Sequence, residues 1–397
     1  MQNRKSAYRR SVRTDGVNGG ADVNRTIEFI KKEAVLCAAV LLALISMFFV
    51  FPDKQYADYI DFRTLGILFS LMAVMEGMKS IGVFRLTAEG LLKRAGSIRS
   101  IAMILVGLCF FSSMIITNDV ALITFVPFTI VTFRMLGRKT EDELLVPIVV
   151  MQTLAANLGS MLTPLGNPQN LYLYGVSGIS LGRFIKLLLP FAALSFLVLF
   201  VWILVKTSSY EFETEISLSD DGGKLSKSRF TVYLLLFAVC LLAVADVIHF
   251  AVAAGAAVAV LLIADRRLLG KIDFSLLLTF IGFFIFIGNM SRVEAINSFL
   301  SRIIDGNEFA VSVGASQVIS NVPAALLLSG FSDNYEKLIL GTDIGGLGTL
   351  IASMASLISF KCISKERPDV KKRYFLLFTV SNIVFLAVLI SAYIIIY

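Results

Sequence analysis

The 397-residue chain is 57% apolar and only 16% charged, with a mean hydropathy of +0.81. So much apolar surface excludes a soluble globular fold and places the chain among polytopic membrane proteins. The formal net charge of +7 sits in loops between apolar runs rather than on one continuous face, which excludes a nucleic-acid surface and reads as an orientation signal. Cys37, Cys109, Cys240 and Cys362 lie in or beside apolar segments without paired spacing, so neither a disulfide framework nor a metal site is expected.

Residues 1–33 are polar, basic and free of the apolar core of a cleaved signal peptide, and read as a flexible cytoplasmic tail. Apolar runs follow at 35–52, 64–84, 98–136, 144–176, 180–205, 230–248, 250–264, 272–290, 307–330, 338–360 and 374–396. A spanning helix takes about 20 residues. The run 98–136 is too long for one helix and carries Thr117, Asn118 and Asp119 halfway, which predicts two helical arms meeting at a polar tip. The run 307–330 repeats the design with "SNVP" at its centre, where Pro323 has no N–H to donate. Both read as re-entrant hairpins. The expected fold is therefore an all-α polytopic membrane protein of about nine spans plus two hairpins. Its N-terminal half is 34–206, a cytoplasmic linker follows at 207–229, and the C-terminal half is 230–397.

Charge gives an independent topology. With the N-terminus inside and each hairpin entering and leaving on one side, the cytoplasmic loops are 85–99, 134–144, 206–229, 265–271 and 361–373. These loops and the tail hold most of the 36 basic residues. The opposite side keeps Lys54, Arg63, Arg183, Lys186, Arg292, Arg302 and Lys337, and Lys79 falls within a span. That asymmetry follows the positive-inside rule. It predicts an integral protein of a prokaryotic plasma membrane, with its C-terminus outside.

The two hairpins align. Setting Asn118 against Asn321 also pairs Ser113 with Ser316, Ile116 with Ile319 and Ala121 with Ala324. Each hairpin is followed by a broken apolar segment, "NLGSMLTPLGNPQN" at 157–170 and "DIGGLGTLIASMAS" at 343–356. There Gly159 pairs with Gly345 and Thr163 with Thr349. Asn157 then stands opposite Asp343, a neutral amide facing a titratable acid. Five crossings separate the two units, so the second is inverted relative to the first. Inverted repeats with discontinuous helices meeting near the midplane are an architecture of secondary transporters.

The segments "TNDVALITFVPF", "ANLGSMLTPLGNPQNLYLY" and "ISNVPAALLL" resemble the signature regions of the ion transporter superfamily over roughly residues 35–396. That group includes divalent anion:sodium symporters, citrate-type permeases, arsenite pump membrane subunits and some sodium:proton antiporters. The resemblance implies sodium and carboxylate binding at each hairpin tip, where symporters carry Ser-Asn-Thr. Here those positions are Thr117-Asn118-Asp119 and Ser320-Asn321-Val322. Asp119 is similar to the Asn-Asp of the arsenite-pump branch, and Val322 has no hydroxyl to give.

A helix broken inside the bilayer leaves backbone N–H and C=O groups without partners, and an anion and a cation can satisfy them. Candidate substrate-binding residues are Thr117, Asn118, Asn167, Asn170, Ser320 and Asn321. Candidates for cation binding or coupling are Ser113, Asp119, Gly159, Thr163, Ser316, Asp343, Gly345 and Thr349. Intramembrane carboxylates such as Asp119 and Asp343 are functional candidates by default, whereas Ser112, Ser113 and Ser160 could equally bond a carbonyl one turn back. Glu76 and Lys79 read as an internal ion pair, and His249 beside Asp246 as an incidental interface residue.

No nucleophile–base pair, metal-ligand spacing or phosphate loop is present, so an enzyme is not expected. The expected activity is secondary transport of a small anion, a citrate-like or dicarboxylate-like solute or an inorganic oxyanion, coupled to sodium or protons, with no cofactor. A sodium:proton antiporter of the same fold and an arsenite-type efflux subunit needing a separate ATPase stay open. Expected partners are the anionic solute, sodium or a proton, and the lipid bilayer; a homodimer stays open.

Overall fold

The computed structural model describes residues 33–210 and 226–397. The tail at 1–33, Glu33 apart, and most of the linker at 207–229 lie outside the described residues. Seventeen α-helices and three short 3-10 turns account for the regular structure, with no strand among the described residues. The four cysteines are free thiols.

In chain order the helices are α1 (Ala34–Ser46), α2 (Phe62–Ser80), α3 (Val83–Leu92), α4 (Ile98–Ser112), α5 (Asn118–Met135), α6 (Arg138–Ser160) and α7 (Pro168–Ser177). Then come α8 (Leu181–Thr207), α9 (Lys227–Val244), α10 (Phe250–Ala264), α11 (Phe274–Arg292), α12 (Glu294–Ile304) and α13 (Glu308–Ile319). The last four are α14 (Asn321–Ser329), α15 (Tyr335–Gly345), α16 (Met354–Glu366) and α17 (Lys371–Ile396).

Two helices fall in stretches read from the sequence as loops. α3 bends away from α2 at Gly82, whose φ of +76° suits a residue without a Cβ. α12 follows α11. Both carry charged residues at helical spacing, which the search for apolar runs passed over.

The chain forms two compact units. One contains the described residues up to Ile60 together with Asp273–Val293. Within it α1 and α11 pack tightly, because a Cβ at Gly282 would already lie 3.0 Å from the Ala39 backbone. The buried Asn289 donates to Ser46 Oγ at 2.9 Å and Tyr56 OH at 2.8 Å, and Arg292 pairs with Asp53 at 2.8 Å.

The other unit contains Asp61–Ile272 and Glu294–Tyr397. Its centre is α6, whose most apolar window is 94% buried, against 33% for α8 and 28% for α9. The outer helices present Leu197, Val205, Leu235, Ile263 and Ile395 outward. An apolar surface of that extent suits lipid and not water.

Among the described residues six helices are long and apolar enough to cross a membrane alone, or seven counting a bent pair. One of the six is α5, the second arm of the first hairpin run. Two of the runs read as single spans are interrupted helix pairs, α6–α7 and α15–α16.

Candidate functional site

Four helix breaks define the candidate site. α4 ends at Ser112 and α5 restarts at Asn118; α13 ends at Ile319 and α14 restarts at Asn321. Ser320 turns the second break with φ +74°, a left-handed conformation unusual for a residue with a side chain. The other two breaks separate α6 from α7, where Pro168 opens the new helix, and α15 from α16.

Each hairpin is bonded to the broken helix that follows it, by contacts at positions the sequence alignment pairs. Asn118 N–H donates to Gly166 O at 3.1 Å, and Asn321 N–H to Ala352 O at 3.0 Å. Thr163 Oγ1 donates to Met114 O, and Thr349 Oγ1 to Gln317 O at 3.0 Å. A Cβ on Gly159 would collide with Phe110 O and sit 2.7 Å from Ser113 Oγ; one on Gly345 would sit 2.9 Å from Ser316 Oγ and the Val313 backbone. These glycines let helix backbones touch, as small residues do in membrane interfaces.

Several candidates thus have structural duties. Ser113 and Ser316 donate to Phe110 O at 3.0 Å and Ser312 O at 2.7 Å, so neither hydroxyl proton is available to a ligand. Gly159, Gly345, Thr163 and Thr349 fix hairpin to helix. Asp119 lies half-buried in the first turn of α5, where the helix dipole favours a carboxylate. Thr117 is half-buried at the start of that helix, and Ser320 donates to Ala352 O at 3.3 Å.

Two polar clusters remain, again at paired positions. In the first, Asn157 Oδ1 accepts from Asn118 Nδ2 at 3.1 Å and from Ser353 Oγ at 3.0 Å, and Asn157 Nδ2 donates to Ser356 Oγ at 3.2 Å. Both ends of this amide are bonded. In the second, Asp343 takes the place of Asn157, while Asn167 and Asn170 take the places of Ser353 and Ser356. Both Asp343 oxygens are buried among the side chains of Asn170, Asn167 and Gln169, yet no hydrogen bond closes on either. Asn167 Oδ1, Asn170 Oδ1 and Gln169 Nε2 are equally buried and unpartnered. The Asn167 amide is turned to Ser160 Oγ at 2.8 Å and that of Asn170 to Met161 O at 3.3 Å, which leaves their oxygens free. Asn321 is buried beside Gly346, near the Asp343 backbone.

Buried acceptors are rarely left unpaired. A group of four such oxygens, two of them on one carboxyl group, is the donor set of a hard cation or a bound proton. The side chains that act on Asp343 are those of Asn170, Asn167 and Gln169, all neutral.

Ser353, Ser356 and Gln169 were not singled out from the sequence. The aligned broken segments carry the signal for the two serines, because they stand opposite Asn167 and Asn170. Elsewhere, Lys79 pairs with Glu76 at 3.1 Å, as read from the sequence. Asp246 pairs not with its neighbour His249 but with Arg63, at 2.8 Å. Near the start of α6, Arg367 binds Glu141, Asp142 and Asp369, each at 2.7 Å. The hydrogen bonds that Arg367 donates to Asp369 and Asp142 hold the guanidinium above its ordinary pKa.

The comparison with known families decides the relationship. Residues 27–334 match the family model described as citrate transporter. The chain belongs to the citrate transporter family. This transporter is 30% identical over 328 residues to the inner membrane protein YbiR of Escherichia coli (strain K12), covering 81% of this chain and 86% of that one. It is 32% identical over 324 residues to the uncharacterized transporter MJ0456 of Methanocaldococcus jannaschii, with the same coverage. It is 23% identical over 377 residues to the uncharacterized transporter Mb2703 of Mycobacterium bovis, covering 85% of each chain. It is an integral membrane transporter of all-α fold.

Proposed function

We propose that this transporter is secondary active and moves a small carboxylate-class anion, driven by sodium or protons bound at Asp343. The observation that carries the reading is the group of unpartnered oxygens on Asp343, Asn167 and Asn170 beside a fully bonded counterpart around Asn157. A cation in that group satisfies the acceptors and neutralises the acid, and only then does an anion find a neutral or positive site. The anion's place is at the starts of α5, α7, α14 and α16, where Asn118, Asn167, Asn170, Ser320 and Asn321 gather around the positive ends of helix dipoles. Cation before anion is the order this electrostatics favours. The family match to citrate transporters supports the carboxylate class.

Alternating exposure of this site moves both ligands. The distribution of basic residues among the loops supports a cytoplasmic N-terminus and an external C-terminus. The name of the Escherichia coli relative fits a plasma-membrane location.

A second reading, sodium:proton antiport, rests on the same carboxyl group, which can exchange a bound proton for sodium among the neutral amides of Asn167, Asn170 and Gln169. Uptake into proteoliposomes separates the two. Labelled citrate or succinate that accumulates under an imposed sodium or proton gradient supports the first. Proton release on sodium addition, without solute uptake, replaces it with the second. Flux only with a soluble ATPase present defeats both.

A further inference from the structure

The breaks that end α6 and α15 share a backbone frame but are closed differently. At the second, Gln317 of α13 reaches across the end of α15. Its Nε2 donates to Gly345 O and Leu347 O, both at 2.8 Å, and to Val313 O at 3.3 Å. Its Oε1 accepts from Thr349 N–H at 3.0 Å. Gly348, with φ +105°, makes the room, since a Cβ there would collide with Gln317 Oε1.

A helix that stops inside a bilayer turns the negative end of its dipole and its last carbonyls toward a medium that cannot solvate them. Either a cation or a donor must meet those oxygens. A carboxamide NH2 brings two N–H groups and no net charge, so Gln317 satisfies them without a counterion.

At the first break the position paired with Gln317 is Met114, whose thioether has no N–H. The Met114 carbonyl still accepts from Thr163, the counterpart of Thr349. Met161 O, the counterpart of Leu347 O, receives only the long 3.3 Å contact from Asn170. The plug is present in one half and absent from the other.

We propose that the Gln317 amide is a tethered substitute for a coupling cation: it fills the carbonyl position at the second break, so that this break takes no cation of its own. The assignment rests on the cation-coupled reading above. It also makes residue 317 the position that sets how many cations the carrier needs.

Two variants test this in the full-length purified protein. Gln317→Met copies the first break, and Gln317→Glu places an acid of nearly the same shape against the carbonyls. Thermal unfolding is followed against sodium chloride, with N-methylglucamine chloride holding ionic strength constant, and sodium dependence of uptake is measured in proteoliposomes. The variants are expected to show a higher Hill coefficient for sodium than the wild type and a larger sodium-induced rise in Tm. If Gln317→Glu does not fold, Gln317→Met alone carries the measurement. Variants that keep the wild-type sodium response would overturn the assignment and leave Gln317 a packing strut. The two readings fail separately. A wild type with no cation response removes the role of Asp343, whereas a response gained by either variant still sustains the tethered cation.

Discussion

The clusters around Asn157 and Asp343 stand at positions that pair in the sequence alignment, yet one is closed and the other open. Asn157 spends both ends of its amide on Asn118, Ser353 and Ser356. Asp343 has only acceptors, and its neighbours Asn167 and Asn170 have turned their NH2 groups elsewhere. Paired positions therefore yield a strut in one cluster and a ligand-demanding site in the other. The exchange of an amide for a carboxylate accounts for it, because a carboxylate cannot donate.

The strongest test of the contrast is to erase it. Asp343→Asn makes the two clusters alike, and uptake is expected to fall on the order of 100-fold and to lose its dependence on sodium and pH; a retained dependence in proteoliposome flux would falsify the role given to Asp343. Asn157→Ala attacks the closed side. It strands the Asn118 amide and two buried serine hydroxyls, and a stability loss of about 1–3 kcal/mol is expected by thermal unfolding. An unchanged Tm would mean that the cluster bears no load.

The glycine contacts sharpen the comparison further. Gly159→Ala drives a methyl into the Phe110 carbonyl, which is backbone and cannot swing aside, whereas Gly345→Ala also meets the Ser316 side chain at 2.9 Å. A cost of about 1–3 kcal/mol is expected for Gly159→Ala and a smaller one for Gly345→Ala, both read as yield of folded protein in membranes. Equal yields would show that the two breaks relax alike.

The smallest effects lie at the ion pairs outside the clusters. Arg367→Ala removes contacts to Glu141 and Asp142 and leaves the nearly buried Glu141 with only a 3.8 Å approach from Arg134. About 1–2 kcal/mol of stability is expected to be lost. Arg183→Ala breaks a 2.7 Å pair with Glu336, but Arg183 is 60% exposed. There no measurable loss of stability is expected, with no change in transport. A reversed order of these two would show that exposure does not govern them.

Much of this was legible in the sequence. The polar triplet in the run 98–136 and the "SNVP" in 307–330 marked the two hairpin breaks, because polar groups inside a membrane-length apolar run are costly unless used. Pairing Asn157 with Asp343 already set an amide against an acid. Gln317 gave no such signal: on its own a glutamine near the end of a helix reads as ordinary, and only the path of α15 beside α13 shows that its amide reaches Gly345 and Leu347. Ser353 and Ser356 were hidden in the same way, as small polar residues common in membrane helices. Ser113 and Ser316 were legible as a symmetric pair, and the structure adds that each hydroxyl donates to a carbonyl on its own helix, which spends the proton and not the lone pairs of the oxygen.

Sequence alone determined the membrane class, the helical fold, the places where helices break and the residue types offered there, because hydropathy and chain periodicity are local properties of the chain. Tertiary structure decided which of those groups remain unpaired. Hydrogen-bond partners come from helices far apart in the chain, and an oxygen becomes a site only when no such partner reaches it.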